Sequence, residues 1–522
     1  MHRALVFAGQ GSHKIGMGLE AVAQSSKAAR VWHTCEERMK DRYGISVTEC
    51  VRDNPTSIGG FEGCSSIQNL SGFNDVVPPP PESRPRPHRF TSEGGVLGLT
   101  QIAQPSIVLA QLAMLEAIEE KHSGFMDSIS LVAGHSLGEM TSLAAIGVFP
   151  PEVAVELVYR RGLHMQSAVQ LSSRPSDTSM MYAVNPARAK LKDVLPTEGS
   201  NEDDLLAYLV ELVALKVRKT TSWVEIVNYN VDQDQTVVAG DGIALSILGK
   251  CLDPQLRATA IEVGSASSIK EIVAWCAQSV YDDCKKNENF GVNDEPLPDY
   301  VPGSFHRARR GDVFSRKLLT MDDGLTLPLE RLTRLTLEGG GQSGLKKKSW
   351  FVPLPVSIPF HSSHLRRAAD SFHADCLDAL PSGALLEGKL LGSRSWVTNL
   401  TGTRFAIDTK YQQELLDAIN GENIGEYRHS GQHESQLSSL ARNSLQRLES
   451  DKQDGLRHIV AITCAAQIAH AVQWSDTMNV ISGSCKEVVE ISPTKTLCNM
   501  FKRSHDDLLL RSLPFDERLL FQ

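Results

Sequence analysis

The sequence has 522 residues, of which 41% are hydrophobic and 22% charged, and it carries a formal net charge of −9 at pH 7. This composition is typical of a globular protein with a large core, and the acidic balance argues against a nucleic-acid-binding protein, whose surface would be basic. The apolar runs fall short of the roughly 18 residues that span a bilayer, and the 10 cysteines form no C-x-x-C pair, so we expect no membrane span, no metal site and reduced thiols.

The chain begins with a short apolar run, Ala4 to Ala8, that stops at Gly9-Gln10-Gly11-Ser12. The run predicts a buried strand followed by a tight loop, and it starts too close to Met1 to leave room for a secretory signal. Residues 51–95 contain four consecutive prolines and have no periodicity. We interpret this segment as a disordered or surface insertion.

Regular patterns resume near Gln101. Apolar residues at helical spacing predict an amphipathic helix over 104–121. The run Ile129 to Ala133 predicts a second buried strand, and helical patterns follow over 138–147 and 151–170. The order of strand, helix and strand predicts layers of the α/β class.

A second alternation of strands and helices occupies residues 179–265, and its three clearest strands are Met180–Val184, Val224–Val227 and Thr236–Ala239. Polar character predicts three further insertions, at about 199–222, 266–349 and 421–456. Between the last two of these insertions, the sequence predicts ordered structure again at Trp350–Ile358. Surface loops accept such insertions at modest entropic cost.

The strongest chemical motif is Gly134-His135-Ser136-Leu137-Gly138, which matches G-x-S-x-G between a predicted strand and a predicted helix. Flanking glycines allow a sharp turn there, and the turn would expose the Ser136 hydroxyl at the N-terminus of a helix, where developing negative charge is stabilised. The alternative is a chance match on a loop. The strand before the motif and the helix after it favour a nucleophile.

A serine nucleophile needs a base, and the sequence offers 16 histidines. His361 follows an apolar strand and precedes a helix, a position from which catalytic groups are often presented. Taken alone, however, His361 is better interpreted as a core histidine whose hydrogen bonds are satisfied. His135 would point away from its neighbour Ser136, and we interpret His429 and His433 as part of a solvated loop.

Arg161 lies on the apolar face of the predicted helix 151–170, whereas Arg160 lies off that face. A buried guanidinium is costly unless it meets an anion. Two interpretations stay open: Arg161 has a structural role, in which it extends to solvent or pairs with a carboxylate of the protein, or it receives a carboxylate of the substrate, whose shape its planar fork matches.

Several longer motifs occur in a fixed order along nearly the whole chain outside the insertions: Val6-Phe7-Ala8-Gly9-Gln10-Gly11-Ser12, Gln104-Pro105-Ser106, Gly134-His135-Ser136-Leu137-Gly138-Glu139, Arg161-Gly162-Leu163-His164-Met165-Gln166, Pro355-Val356-Ser357-Ile358-Pro359-Phe360-His361-Ser362 and Val397-Thr398-Asn399-Leu400-Thr401-Gly402. Together they resemble malonyl-CoA:acyl-carrier-protein transacylases, acyltransferases of type II fatty-acid synthesis. A single G-x-S-x-G would not be specific, but the ordered set is.

The resemblance implies a role for each matching position. Ser136 would be the acylated nucleophile and His361 its base, and the backbone N–H groups of Gln10 and Leu137 would form the oxyanion hole. The carbonyl of Gln473 would orient the imidazole in place of the acid of a full triad.

The resemblance also implies a substrate site. Arg161 would hold the free carboxylate of a malonyl group, and Gln104 and Asn399 would line the pocket. The implied reaction is a two-step, ping-pong transfer of malonyl from malonyl-CoA to the pantetheine thiol of an acyl carrier protein, with no metal and no redox cofactor. The rival interpretations are a serine hydrolase or thioesterase with the same elbow, a non-catalytic scaffold, and a polyketide-type acyltransferase of different acyl choice.

The implied fold is α/β, with an α/β-hydrolase-like large subdomain that has a parallel sheet and an inserted ferredoxin-like small subdomain. We assign 1–178 and 351–522 to the large subdomain, with insertions at about 51–95 and 421–456. Residues 179–350 form the small one, with insertions at about 199–222 and 266–349. We expect a monomer, located in the mitochondrion or otherwise in the cytoplasm.

Overall fold

The computed structural model describes residues 2–61, 87–172, 179–193, 201–217, 222–262, 264, 268–286, 349–356, 358–420, 436–505 and 507–513. Its strands are β1 (Arg3–Phe7), β2 (Ser57–Phe61), β3 (Pro87–Thr91), β4 (Ile129–Gly134), β5 (Met180–Val184), β6 (Val224–Val231), β7 (Gln235–Gly240), β8 (Phe351–Pro353), β9 (Ser395–Trp396), β10 (Val472–Gln473), β11 (Glu487–Ile491) and β12 (Leu509–Leu513).

The helices are α1 (Leu19–Gln24), α2 (Ser26–Tyr43), α3 (Val47–Asp53), α4 (Thr100–Lys121), α5 (Leu137–Ala145), α6 (Pro151–Ser172), α7 (Pro186–Ala189), α8 (Glu202–Val217), α9 (Gly242–Leu252), α10 (Pro254–Glu262), α11 (Ile269–Lys286), α12 (Arg366–Ala379), α13 (Gly383–Leu390), α14 (Thr409–Asn420), α15 (Gln436–Ser450), α16 (Lys452–Ala466), α17 (Trp474–Ser482) and α18 (Thr496–Ser504).

The first of two five-stranded sheets is entirely parallel, in the order β12-β11-β1-β4-β9. Its central strand β1 is apolar and buried from Ala4 to Phe7, as expected of a parallel sheet that is covered on both faces. Leu5 and Phe7 contribute to one hydrophobic cluster, whereas Ala4 and Val6 contribute to another on the opposite face. Alternate residues of a strand point to opposite faces, so β1 anchors both helical layers.

The second sheet has the order β10-β6-β7-β5-β8. Strands β5, β6, β7 and β8 pair antiparallel, while β10 joins the edge in parallel. With α8 between β5 and β6, and α9 to α11 between β7 and β8, the chain follows a ferredoxin-like path. The predicted fold class is therefore confirmed: α/β, with a parallel sheet and a smaller ferredoxin-like unit.

All four segments that we interpreted as insertions contain helices or strands. Residues 199–222 contain α8, whose Leu206, Leu209 and Val213 are fully buried in the core of the second sheet. The interpretation of that segment as an insertion was wrong, because acidic residues at the start of α8 hid a helical apolar pattern. Helices α15 and α16 likewise begin within 421–456 and pack into the main core.

The other predicted insertions are described only in part. Strands β2 and β3 form an antiparallel pair within 51–95, and α11 occupies the start of 266–349. Residues 62–86 and 287–348, like His429 and His433, lie outside the described residues.

Helix α4 has the length and apolar composition of a membrane span, and 89% of its most apolar window is buried inside the protein. It packs against α2, α5 and α6. Its apolar surface is therefore covered by the protein's own helices.

Close packing around the strand-to-helix turn demands glycine at position 138. A Cβ added to Gly138 would lie 2.0 Å from the Phe7 carbonyl oxygen. Main-chain atoms cannot move aside without disturbing the strand. We therefore expect Gly138→Ala to lower the free energy of unfolding by about 1–3 kcal/mol, measured as a lower urea midpoint of unfolding. Gly388→Ala on α13 is the matched control, since a Cβ there meets nothing within 4 Å. An unchanged midpoint for Gly138→Ala would contradict this packing.

Candidate active site

Ser136 stands at a sharp corner between β4 and α5. Its backbone adopts φ 53° and ψ −112°, a conformation that costs a non-glycine residue about 1–3 kcal/mol. The neighbouring His135 N–H donates to the Phe7 carbonyl at 2.9 Å, and the Ser136 N–H donates to Asn399 Oδ1 at 2.7 Å. These bonds hold the strained corner in place.

The Ser136 hydroxyl meets an imidazole from 225 residues further along the chain. Ser136 Oγ lies 2.7 Å from His361 Nε2. His361 is nearly fully buried and has a positive φ of 65° in the loop between β8 and α12. A nucleophilic hydroxyl within hydrogen-bond reach of a histidine is the arrangement that general-base activation requires.

Gln467, which the sequence analysis missed, orients the imidazole. His361 Nδ1 lies 2.6 Å from the Gln467 carbonyl oxygen. A proton on Nδ1 is donated to this carbonyl, which leaves Nε2 free to accept the proton of Ser136. Gln467 caps the C-terminus of α16, where the last carbonyls of a helix lack intrahelical partners.

The role predicted for the Gln473 carbonyl was therefore wrong. That carbonyl accepts a hydrogen bond from Thr477 Oγ1 at 3.0 Å, and Gln473 lies on β10, after the chain has left the helix end. A backbone carbonyl leaves no mark on residue type. The feature that could have identified the correct carbonyl is the C-terminal end of helix α16, where Gln467 lies six positions before Gln473.

The imidazole is held in its basic form. Burial, followed by the nearby Arg161 guanidinium, lowers the pKa of His361 to about 3. His361 is therefore neutral at physiological pH and able to accept a proton. An unperturbed histidine, with a pKa near 6.5, would lose this ability as the solution becomes mildly acidic.

A testable consequence concerns the pH dependence of Ser136 reactivity. Because the pKa of His361 lies far below neutrality, labelling of Ser136 by a neutral fluorophosphonate should keep its rate as the pH falls from about 7 to about 5. The measurement is the second-order labelling rate at each pH, with the melting temperature recorded alongside to show that the fold is intact. A rate that halves near pH 6.5 would contradict the neutral, buried imidazole.

Arg161 is buried in α6, with 1% of its surface exposed, as its place on the apolar face predicts. Arg161 Nη1 donates to Gln104 Oε1 and Nη2 donates to Gln467 Oε1, each at 2.9 Å. Both acceptors are neutral amides. The part of the chain that the structure describes contributes no carboxylate within ion-pair distance of Arg161, and its Nε has no partner there.

Arg160, the residue before Arg161, has a carboxylate partner within the protein. It forms a two-point ion pair with Asp375, with distances of 2.7 and 2.9 Å.

Burial lowers the pKa of Arg161 to about 10, so that the guanidinium still carries a charge at neutral pH. Of the two interpretations of Arg161, the geometry favours the one in which its anion comes from outside the protein.

Gln104 and Asn399 act on their neighbours. Gln104 Nε2 donates to Thr100 Oγ1 at 3.0 Å, which fixes the amide that faces Arg161. Asn399 Nδ2 donates to the Gly134 carbonyl at 2.5 Å, so Asn399 braces both sides of the corner at Ser136. Gln104 thus bears on the arginine, and Asn399 bears on the nucleophile.

The two predicted oxyanion donors lie on neighbouring segments. Leu137 is the first residue of α5, where main-chain N–H groups lack acceptors within the helix. Gln10 follows Gly9, at which an added Cβ would lie 2.4 Å from the His135 carbonyl oxygen and 3.4 Å from the Leu137 nitrogen. The glycine loop therefore runs directly against the corner, and the oxyanion hole at Gln10 and Leu137 stays a prediction.

His135 belongs to a separate contact. Its Nε2 lies 2.8 Å from Asn230 Oδ1, and its ring meets Trp474 edge-on. These partners occupy the ring away from the Ser136–His361 pair.

The His361 loop crosses between the two sheets. Phe360 packs against the main core and also against the free face of the second sheet. The next residues are tied to β6, because the Ser363 N–H donates to Glu225 Oε2 at 2.9 Å. The site therefore lies in the cleft between the parallel sheet and the ferredoxin-like unit.

Comparison with known families gives a match over more than half of the chain. A family profile described as the acyl transferase domain matches residues 4–289. A fatty acid synthase beta subunit from Emericella nidulans is 30% identical over 439 residues, covering 79% of this chain and 17% of that protein. The fatty acid synthase subunit beta of Saccharomyces cerevisiae is 28% identical over 440 residues, covering 81% of this chain and 18% of that protein. The chain thus spans less than a fifth of these relatives.

Solved structures share the fold over nearly the full chain. An acyl-carrier-protein S-malonyltransferase from Bartonella henselae aligns with a TM-score of 0.51 at 18% identity, covering 99% of this chain and 98% of that one. A malonyl CoA-acyl carrier protein transacylase from Coxiella burnetii aligns with a TM-score of 0.50 at 16% identity, covering 98% and 94%. At this level of identity the likeness establishes the fold alone.

Proposed function

This chain belongs to the acyl transferase domain family, and we propose that it transfers a malonyl group from malonyl-CoA to the pantetheine thiol of an acyl carrier protein through an ester on Ser136. One observation carries the proposal. A buried cation without a carboxylate partner among the described residues shares Gln467 with the serine–histidine pair. A substrate with a free carboxylate and a reactive thioester satisfies both features at once.

In the first step the Ser136 oxygen attacks the thioester carbonyl carbon while His361 Nε2 takes the hydroxyl proton. The Gln467 carbonyl accepts a hydrogen bond from Nδ1 and stabilises the imidazolium. The oxyanion meets the N–H groups of Gln10 and Leu137, and each such donor typically contributes about 2.7–4 kcal/mol. The intermediate collapses to the serine ester, and the CoA thiolate leaves with the proton from His361.

The second step runs the same chemistry in the opposite direction. The pantetheine thiol gives its proton to His361 Nε2 and attacks the ester carbonyl of the acylated Ser136. The tetrahedral intermediate expels the serine oxygen, which recovers the proton. The proposed chemistry draws only on protein groups and the two thiols.

Arg161 provides the choice of acyl group. Its guanidinium has the geometry to bind a carboxylate at two points. An acetyl group offers no anion, and leaving a buried charge unpaired raises the barrier for that substrate. The selection of malonyl therefore comes from the same residue that lacks a carboxylate partner in the described structure.

The known activities of similar proteins, as their names give them, support an acyl carrier protein as the partner. Two of them name an acyl carrier protein, and others are subunits of fatty acid synthases. The hydrolase interpretation predicts a carboxylate at the orienting nitrogen of the histidine, whereas the structure has a backbone carbonyl there. We propose an acyl carrier protein as the second substrate.

The test is an assay of product identity. The full chain is mixed with malonyl-CoA and a pantetheinylated acyl carrier protein, and malonyl-carrier and free malonate are quantified together. The proposal predicts malonyl-carrier as the main product. Free malonate as the main product, with the carrier unmodified, would favour a hydrolase.

A further inference from the structure

Glu139 is fully buried three residues after Ser136, and no step of the proposed reaction uses it. Each of its oxygens accepts one hydrogen bond. Oε1 accepts from the Asn399 main-chain N–H at 2.8 Å, and Oε2 accepts from Gln467 Nε2 at 2.7 Å. No hydrogen bond joins Glu139 to Arg161; burial raises the pKa of Glu139 to about 8, and the nearby Arg161 guanidinium opposes that rise.

The Gln467 side chain connects Glu139 to Arg161. Its Nε2 end donates to Glu139 and also to the Ser136 carbonyl at 3.1 Å, while its Oε1 end accepts from Arg161 Nη2. An amide has one donor end and one acceptor end. Turned around, it would present N–H groups to a guanidinium that has only donors, and Arg161 would lose this bond.

We infer that Glu139 is a positioning residue for Arg161: it holds the Gln467 amide in the orientation that presents an acceptor to the guanidinium. The inference rests on the proposed function, because it explains how the malonyl-binding arginine is held. The ionised carboxylate offers an acceptor oxygen to each of the two N–H donors.

Glu139→Gln tests the inference with a side chain of the same shape. The new amide has one acceptor, for which two donors compete. The Asn399 N–H belongs to the main chain and cannot turn, whereas the Gln467 amide can rotate. Rotation of the Gln467 amide ends the competition between the two N–H donors, and it turns the acceptor oxygen of Gln467 away from Arg161. We therefore expect the rate of malonyl loading relative to acetyl loading to fall about tenfold.

A second variant separates the two parts of Gln467. Gln467→Ala keeps the backbone carbonyl that orients His361 but removes the amide that faces Arg161. It should lower the malonyl-to-acetyl ratio as Glu139→Gln does. Because Glu139 acts on the ratio through this amide, the double variant should have a ratio no lower than that of Gln467→Ala.

Glu490→Gln is the matched control. Glu490 is also a fully buried carboxyl group that accepts two bonds, here from the Leu497 and Cys498 N–H groups at 3.1 and 2.8 Å, and it lies on β11, which β1 separates from β4. Its replacement should lower the melting temperature and leave the malonyl-to-acetyl ratio unchanged. This control distinguishes a general loss of stability, caused by removing any buried carboxylate, from a change in the malonyl-to-acetyl selectivity.

The experiment measures rates of loading from malonyl-CoA and acetyl-CoA, the rate of labelling by a neutral fluorophosphonate, and the melting temperature of each variant. Support consists of a lowered ratio with labelling nearly retained in Glu139→Gln and Gln467→Ala. The inference is overturned by a wild-type ratio in either variant, by additive losses in the double variant, or by a loss of labelling as large as the loss of malonyl loading. Equal loading of both acyl groups by the unaltered chain would instead overturn the proposed function itself.

Discussion

The Ser136→Ala variant is expected to take up no acyl group from malonyl-CoA. Removing the nucleophile of a serine enzyme lowers turnover by on the order of 10⁶-fold, and the covalent ester cannot form without the hydroxyl. The measurement is the intact mass of the chain after exposure to malonyl-CoA, which should rise by one malonyl group in the unaltered protein and stay constant in the variant.

Ser142→Ala is the matched control for this loss. Ser142 is fully buried in the same helix α5, and its hydroxyl donates to the main-chain carbonyl of Glu139 at 2.7 Å. Replacing it removes a hydroxyl from the same helix without touching His361, so acyl loading should persist. Retained malonyl loading by Ser136→Ala would place the nucleophile on another residue.

The Arg161→Ala variant is expected to lose its preference for malonyl over acetyl. The guanidinium is buried and, among the described residues, donates to the amides of Gln104 and Gln467 and to the sulfur of Met165, so its removal leaves the malonyl carboxylate buried without a partner. A site built to pair a polar group can discriminate by roughly 10⁴-fold against a mismatched group, and a large part of that discrimination should disappear. Loading rates with malonyl-CoA and acetyl-CoA, measured separately, give the ratio.

Two further variants sharpen the interpretation. Arg161→Lys keeps the charge but not the planar fork, and should recover part of the ratio. Arg160→Ala changes the adjacent arginine, which is paired with Asp375, and should keep the preference of the unaltered chain. An unchanged malonyl-to-acetyl ratio in Arg161→Ala would remove the assigned role of Arg161.

The nucleophile and its helix were predictable from sequence because their determinants are contiguous. Glycines at 134 and 138 flank Ser136, and each has backbone where a Cβ would lie, so the requirement for glycine is visible in the motif. The burial of Arg161 followed from helical periodicity alone. His361 required the family resemblance, since its partner lies 225 residues away.

The orienting group was not predictable in the same way. Gln467 contributes a main-chain carbonyl to His361, and any residue at that helix end could supply one. Glu139 was visible within the motif, but its link to Arg161 passes through Gln467, which comes from a distant helix. Such contacts depend on how α5, α6 and α16 pack, which a linear pattern does not contain.

Helix α8 was missed for a different reason. Its first turn contains Glu202, Asp203 and Asp204, which made the segment resemble a polar insertion. In the fold, Asp203 accepts hydrogen bonds from the Gln233 N–H and Thr236 Oγ1 at 2.6 and 2.8 Å. The polar residues thus satisfy a turn between β6 and β7, while the apolar ones behind them cover the sheet.

The most direct test mixes the full chain with equal concentrations of malonyl-CoA and acetyl-CoA and maps the acyl group by peptide mass. We expect one malonyl group per chain, on the peptide that contains Ser136. Equal amounts of the two acyl groups on that peptide, or an acyl group on any other residue, would contradict it.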